Sequence, residues 1–374
     1  MIKVLIAAFF AAPILVYSGG SEAQDTNTNT KSFRDWSVTC NNIRSCAAFS
    51  VSPASEGGIV TRPLGVAASV DRGWIVIERD AGPTAIPTIL ISRPELDHMP
   101  ELRTASLRLV SADGRLVRAG QFALVIGRDA AMEIPASQNV AFMAAARSAT
   151  HAIFLSGTNA RPAFFVSLSG LVASARSMDA HQGRTGSVNA LVDIGQISNA
   201  RVPFAQDVPT LNARSFSQRI NVRPPARLLQ KRQADCDDAA RFDVTGTNIE
   251  AYTLDRTRTL WSVPCGSGAY NTSNRFYIQG PRDVIIAANF IGTGSTDPRD
   301  ANSLVNSGID PDRGIITTFN KARGMGDCGI AMTFAWTGQA FVAATRNEMV
   351  PCGGITRSFW PSILASRVIT NGQR

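Results

Sequence analysis

Histidine is nearly missing from this chain, with three residues in 374: His98, His151 and His181. A stock that small argues against a His-built metal centre, and none of the three stands beside a cysteine. Lysine is almost as rare, with Lys3, Lys31, Lys231 and Lys321 set against 33 arginines. The chain has no Cys-x-x-Cys pair, P-loop, Rossmann glycine fingerprint or His-Glu-x-x-His motif. Their absence removes the usual signatures of zinc ribbons, thiol redox enzymes, nucleotide-binding folds and zinc peptidases, and no cofactor is implied. Beyond the N-terminus no run of 18 apolar residues occurs, so no later segment reads as a membrane-spanning helix.

What is present supports a folded protein. Hydrophobic residues make up 44% of the chain, charged residues 18% and aromatics 7%, enough to bury a substantial core. A length of 374 residues suits two domains. The net charge of +8 is spread evenly, with +4 in residues 24–221 and +4 in residues 222–374. An even spread is a solvated cationic surface and not the stripe that follows a phosphate backbone, which excludes nucleic acid as a partner.

The first residues predict export. Lys3 precedes the apolar run Val4 to Val16, and Ser21-Glu22-Ala23 supplies a cleavage site after Ala23. No cysteine lies near that site to carry a lipid, and no twin arginine precedes the run. Residues 1–23 are thus expected to be a signal peptide, placing the mature chain in the periplasm. Residues 24–32 read as a polar, flexible leader.

All six cysteines lie in the exported part, where an even number reads as disulfides. Cys40 and Cys46 bracket a polar loop between two strand-like runs. Cys328 and Cys352 bracket the hairpin-like stretch Ile330–Trp336, Thr337-Gly338-Gln339 and Ala340–Ala344. Cys236 is then left to pair with Cys265.

From Phe33 onward, short β-type runs alternate with turn residues. Examples are Trp74–Ile77, Thr88–Ile91, Leu107–Val110 returning through Asp113-Gly114 into Arg115–Val117, Ala163–Ser167 and Val188–Ile194. Two helices are expected, one over Val140–Ala149 capped by Ser137 and one over Leu171–His181 capped by Ser169 and ended by Gly183. The pattern breaks at Pro224-Pro225, and Arg227–Gln233 reads as a polar connector. Further strands are expected at Glu250–Leu254, Thr259–Val263, Arg275–Ile278 and Val284–Ala288. The fold class is therefore α+β and predominantly β. Residues 33–221 form a β-rich domain holding the helices, residues 222–235 a linker, and residues 236–374 a second β-rich domain, both stapled by disulfides.

Several stretches together resemble a bacterial exported family known as domain of unknown function 1176. They include Phe33-Arg34-Asp35-Trp36-Ser37-Val38-Thr39-Cys40, Asp179, Gln182-Gly183-Arg184-Thr185-Gly186 and Ala190-Leu191-Val192. In the second half they include Leu260–Cys265, Lys321–Gly329, Trp336-Thr337-Gly338, Cys352 and Trp360-Pro361. The first half is also weakly similar to invasion-associated-locus-B-like exported proteins through its Trp-x-Val-x-Cys opening. The resemblance implies an envelope location and supplies no catalytic residues.

Four constellations invite chemistry. Asp179, His181 and Arg184 are close in sequence, but Asp179 and His181 point to different helix faces, so they read as an exposed C-terminal turn facing the helix dipole. Ser167 and Ser169 lack the glycine two positions before that a nucleophile elbow needs. Asp297, Asp300, Asp310 and Asp312 suit Asx-Pro turns better than a calcium loop, which needs more oxygens and a closing Glu. Arg323-Gly324-Met325-Gly326-Asp327 can turn backbone N–H groups toward an anion beside a guanidinium, or can simply lead the chain into the Cys328 hairpin. The candidate binding residues are accordingly Arg323, Gly324, Gly326, Asp327 and Arg184; no catalytic or metal residue is nominated. The sequence is read as a non-enzymatic envelope protein that binds an unidentified envelope protein or anionic ligand. The competing reading is a periplasmic hydrolase whose Asp and Ser residues are brought together by the fold. A pocket gathering Asp179, His181 and a serine would favour the enzyme; an exposed apolar or arginine-lined patch without them would favour binding.

Overall fold

The computed structural model describes residues 30–50, 71–93, 104–157, 159–236, 248–295, 297 and 300–371. The expected signal peptide, most of the leader, His98, Pro298 and Arg299 lie outside the described residues. Residues 30–32, read as the end of the leader, instead begin the strand Thr30–Phe33, which pairs antiparallel with Trp36–Cys40.

The fold is predominantly β, with three α-helices among the described residues. In the first half a seven-stranded sheet runs in the spatial order Thr30–Phe33, Trp36–Cys40, Cys46–Ser50, Trp74–Arg79, Thr88–Ser92, Met132–Ile134, Val125–Ile126. A five-stranded sheet, Asp71–Arg72, Arg161–Ser167, His151–Ser156, Ser106–Val110 and Leu116–Ala123, lies against it. One core joins them: Trp36, Val38, Ile75, Ile77, Ile89 and Ile91 meet Leu107, Leu109, Phe122, Phe154, Phe164 and Val166.

Helix α1, Asn139–Ala146, adds Phe142 and Met143 to this core, and helix α2, Leu171–His181, adds Leu171, Ala175 and Met178. Neither expected serine cap forms. Ser137 sits in a short 3-10 turn before α1, and the residue preceding α2 is Gly170 at φ +105°. A Cβ on Gly170 would collide with the Phe33 carbonyl, so close packing on the first strand outweighs capping there. Ser167 is used elsewhere: its hydroxyl donates to Asp35 and accepts from the Ser169 N–H.

The seven-stranded sheet is covered on both faces, which is why Trp74-Ile75-Val76-Ile77 reads as unbroken apolar sequence. Ile75 and Ile77 face the first core. Trp74, Val76, Leu90, Ala47 and Phe49 face Met349, Ile355, Phe359 and Trp360 of the second half. Trp74 and Phe359 lie 4.8 Å apart between ring centroids, with Arg128 stacked over Phe359.

The second half repeats the two-sheet plan. Arg219–Ile220, Glu250–Thr253, Thr259–Ser267, Thr272–Gln279 and Ile285–Ala287 form one sheet, joined by Ser303–Val305. Phe290–Ile291, Phe341–Met349, Gly329–Trp336, Ile315–Lys321 and Gly308–Asp310 form the other, joined by Ser362–Leu364. Leu260, Phe276 and Ile278 meet Phe290, Phe334, Trp336 and Phe341 between them.

Three stretches differ from expectation. The polar connector Arg227–Gln233 lies within helix α3, Ala226–Asp235. Its arginines, lysine, glutamines and leucines are good helix formers, and Pro225 supplies the entry. Leu228 packs it on Trp261, Val263 and Tyr277. Residues 210–220, assigned above to the first half, are woven into the second. Thr210–Arg214 pairs parallel with Arg367–Asn371, and Arg219–Ile220 pairs with Glu250–Thr253. Val188–Ile194 is not a strand, for a reason given below.

Three disulfides form: Cys40–Cys46, Cys236–Cys265 and Cys328–Cys352, the same pairs expected from the sequence. Cys40 and Cys46 stand directly opposite in the strand pair. Cys236 sits at the end of α3 and ties it to the strand Thr259–Ser267. Replacing Cys236 and Cys265 together by alanine opens a 29-residue separation and is expected to cost about 3–4 kcal/mol; the same change at Cys40 and Cys46, six residues apart, costs about 2 kcal/mol. Urea midpoints of the two double variants measure the order, and the reverse order would contradict the loop-entropy account.

Candidate functional site

The most heavily invested polar group in the first half is the Asp179 carboxylate. It projects from α2 into the protein, where Arg79 Nη2 donates to Oδ1 at 2.5 Å and both partners are almost wholly buried. Its Oδ2 accepts the backbone N–H of Leu191 at 2.8 Å and of Val192 at 3.2 Å. Those two donors are therefore spent on a side chain and not on a neighbouring strand, which explains why Val188–Ile194 forms an irregular loop. One isolated bridge, Ser187 with Ile197, closes it.

Gln182 and Arg184 complete the network. Gln182 Oε1 accepts from Arg79 Nε at 2.8 Å and Arg184 Nε at 3.2 Å, and its Nε2 donates to the carbonyls of Arg44, Arg79 and Asp80. Arg184 donates through Nη2 to the Gly82 carbonyl. Burial draws the Arg184 pKa down to about 10, with Arg79 acting in the same direction and Asp179 opposing. The guanidinium still stays charged at neutral pH. Arg184 is 0% exposed, so the expected exposed turn facing a helix dipole is corrected: it is a buried strut between two loops.

Those loops are the walls of a cavity. Residues Pro83 to Pro87, held through Gly82 and through Asn189 Nδ2 on the Pro83 carbonyl, form one side. Val188, Leu191 and Ile194 form the second, Asn139, Val140 and Met143 of α1 the third, and Asn199 and Ala200 the fourth. The volume is about 620 Å³, within the usual range for small-molecule sites. Ile86 and Val140 on its rim are 67% and 66% exposed, and Val188 and Ile194 are also exposed. Together they are an apolar patch around an apolar hollow.

Among the described residues the lining contains no carboxylate, histidine, cysteine, serine, lysine or arginine; its polar side chains are Thr84, Asn139, Asn189 and Asn199. His181 is exposed and its carbonyl accepts from Arg44. Partial burial, followed by the nearby Arg44 and Lys31, holds the His181 imidazole below its usual pKa. Asp179 is already occupied by three donors, so the Asp179, His181 and serine pocket expected of a hydrolase does not assemble here.

The Arg323–Asp327 segment lies in the other half. Arg323 Nε donates to Asp327 Oδ1 at 2.7 Å, its Nη2 donates to Oδ2, and Gly354 N–H donates to Oδ2 at 2.7 Å. Burial pushes the Asp327 carboxyl up, but Arg323 and Gly354 outweigh it and hold it below the usual carboxylate range. Gly326 adopts φ +67°, and Gly324 approaches the Tyr270 ring. The guanidinium proposed for an anion is thus matched by its own carboxylate, and the segment braces the entry to Cys328. Asp310 Oδ1 accepts from the Arg313 N–H, three residues on, so it closes the turn through Pro311 and Asp312 at a longer reach than the two-residue Asx-Pro turn expected. Cys40, Cys46 and His181, and likewise Asp327, Cys328 and Cys352, bring their ligand-type atoms within 4.8 Å, but each cysteine there is in a disulfide.

Sequence reasoning nominated none of the cavity residues. A signal existed in the exposed Ile86 between Pro83 and Pro87, and in an asparagine opening an alanine-rich helix.

The fold and cavity define a disulfide-bonded, predominantly β protein built from several sheets, with an apolar cavity whose described lining residues carry no acid–base group. This chain belongs to the family described as protein of unknown function (DUF1176), whose sequence profile matches residues 30–367. It is similar to the uncharacterized protein YpfG of Escherichia coli (strain K12), 26% identical over 330 residues, covering 83% of this chain and 85% of that protein. No solved structure matches the chain.

The Arg79–Asp179 pair should dominate stability. Asp179→Ala, which strands a buried guanidinium, is expected to cost about 3–5 kcal/mol. Asp193→Ala, which removes a half-exposed partner of Arg147 and Arg176, should cost no more than about 1 kcal/mol. Urea denaturation of the two variants decides; equal losses would contradict the network's role.

Proposed function

We propose that this is an exported, periplasmic, non-enzymatic binding protein, and that it binds its ligand in the apolar cavity of the first half. The observation that carries this reading is the lining: apolar side chains and three asparagines surround about 620 Å³, and Thr84 carries the lone hydroxyl among the described lining residues. Binding needs shape and apolar area, which this hollow supplies; hydrolysis needs an acid, a base and a nucleophile in mutual reach. Among the described residues no contact favours the hydrolase reading over this one. Export is supported by the N-terminal apolar run with its small-residue cleavage site, and by three disulfides, which belong to oxidising compartments. In this reading the two halves are separate units in plan, and the second half braces the outer face of the sheet whose inner face carries the cavity's supports.

Two measurements test it. Protein recovered from the periplasm should begin at Gln24 and show no free thiol by mass analysis; an N-terminus at Met1 or reduced cysteines would contradict export. Nile red, a neutral apolar dye, should brighten on binding the mature protein. Val140→Glu, at an exposed rim position, should weaken that binding at least tenfold, about 1.4 kcal/mol, without changing the melting temperature. Unchanged dye binding in Val140→Glu would remove the cavity from the account.

A further inference from the structure

We infer that the second half carries a ligand site of its own, a polar cleft at one end of its two-sheet sandwich that takes a neutral saccharide. It is separate from the apolar cavity of the first half and does not depend on that cavity's role.

The cleft follows from a change of character along the inner face of one sheet. The strands Ile315–Lys321, Gly329–Trp336 and Phe341–Met349 lie side by side, and residues directly opposite one another share a face. One row across them is Ile316, Phe334 and Ala343, all in the core between the two sheets. The next inward row is Thr318, Met332 and Arg346, and the one after it is Asn320, Ile330 and Glu348. Arg346 owes its direction to a β-bulge. Phe334 pairs with Ala343 but Thr333 pairs with Thr345, so Ala344 is the extra residue. Strict alternation from Ala343 would put Thr345 inside and Arg346 outside; the bulge exchanges them and aims a guanidinium between the sheets.

The Arg346 side chain is 14% exposed and lines a cleft of about 390 Å³, at the small end of the range for small-molecule sites. Its Nε and Nη2 both donate to Glu348 Oε2, at 3.0 and 2.7 Å, and Nη1 has no partner among the described residues. Nη1 lies against Gly294, another lining residue, where a Cβ would collide with it. Asp300 and Ser303 line the same cleft, and neither side chain has a hydrogen-bond partner among the described residues. The Thr293 and Ser295 hydroxyls accept the backbone N–H groups of Ser295 and Asp297, so their own O–H groups are left to donate. Val305 and Ile330, both half-buried, add an apolar floor.

A free guanidinium edge, a free carboxylate and several hydroxyls beside aliphatic carbon suit a sugar ring, whose hydroxyls each donate and accept and whose C–H face is apolar. The charges set aside an anion. Glu348 and Asp300 are two carboxylates against the one guanidinium, and a ligand carboxylate on Nη1 would share that guanidinium with Glu348 and be repelled by it. The same repulsion sets aside an amino acid, and a simple amine would leave Nη1 without an acceptor.

The test follows binding to the mature protein by saturation-transfer NMR and calorimetry. The probes are glucose, galactose, N-acetylglucosamine, maltose and cellobiose, with glucuronate as the anionic and leucine as the zwitterionic comparison. At least one neutral sugar is expected to bind, about tenfold more tightly than glucuronate or leucine. Asp300→Ala and Ser303→Ala, each at an unpartnered side chain, should weaken that sugar about fivefold, the equivalent of one hydrogen bond each, without lowering the melting temperature. Val140→Glu in the other cavity should leave sugar binding unchanged while weakening Nile red, so the two sites fail separately. The inference is overturned if none of the five sugars binds, if glucuronate or leucine binds as tightly as the best of them, or if both alanine variants bind sugar in full. Loss of sugar binding in Val140→Glu would move the sugar to the first-half cavity and overturn it as well.

Discussion

A carboxylate cannot be buried without donors to receive it, and the way Asp179 is satisfied shapes the first half of this molecule. One oxygen takes the Arg79 guanidinium, bringing the end of a core strand to α2. The other takes two consecutive backbone N–H groups, at Leu191 and Val192, and so bends the chain after α2 into a loop when it could have joined a sheet. Gln182 and Arg184 carry the constraint on to the carbonyls of Asp80 and Gly82. Both loop walls of the cavity are thereby attached to one buried ion pair. Gly195 closes the loop so tightly on the Gly186 backbone that a Cβ would collide with it. An apolar hollow bounded by loops would tend to collapse; here the loops are held apart by charged groups that are costly to unpair.

The second half contributes from behind. It covers the outer face of the seven-stranded sheet with Met349, Ile355, Phe359 and Trp360, so that sheet is sandwiched between two cores and has little freedom to flex under the cavity. The Cys328–Cys352 disulfide and the Arg323–Asp327 pair stand at this junction. That placement gives the glycine-rich segment Gly324 to Gly329 a physical role in entering a tight hairpin, with its arginine neutralised by its own aspartate. The two halves are stabilised by different means: disulfides and aromatic packing in the second half and at the junction, a buried ion-pair network beside the apolar hollow in the first.

The β-rich class, both first-half helices and the cysteine pairs were legible because each depends on local pattern. Apolar runs mark the strands, an alanine-rich segment or one ended by glycine marks a helix, and hairpin-like surroundings mark Cys40–Cys46 and Cys328–Cys352, which leaves Cys236 for Cys265. The failures have one cause in common, which is that long-range contacts override local preference. Ser169 is a good cap by type, yet Gly170 takes the place next to Phe33 because the approach there leaves no room for a side chain. Val188–Ile194 alternates as a strand should, but its donors are claimed by a carboxylate on a helix. Arg227–Gln233 looks like a solvated connector because its apolar residues are confined to the adjacent Leu228 and Leu229, which anchor the helix it forms. Arg184 looks like a surface cation because nothing local announces Gln182 and Gly82 as its partners. The cavity was invisible for the same reason: its four walls come from residues near 85, 140, 190 and 200, and none is distinctive alone.

Amide hydrogen exchange of the mature protein, read at single residues, tests the central claim most directly. If Asp179 holds the cavity wall, the N–H groups of Leu191 and Val192 are protected to the level of the Trp74–Arg79 strand although they lie in a loop, and Asp179→Asn releases them while that strand keeps its protection. Fast exchange at both loop amides in the unmodified protein, or protection that survives the substitution, would contradict the account.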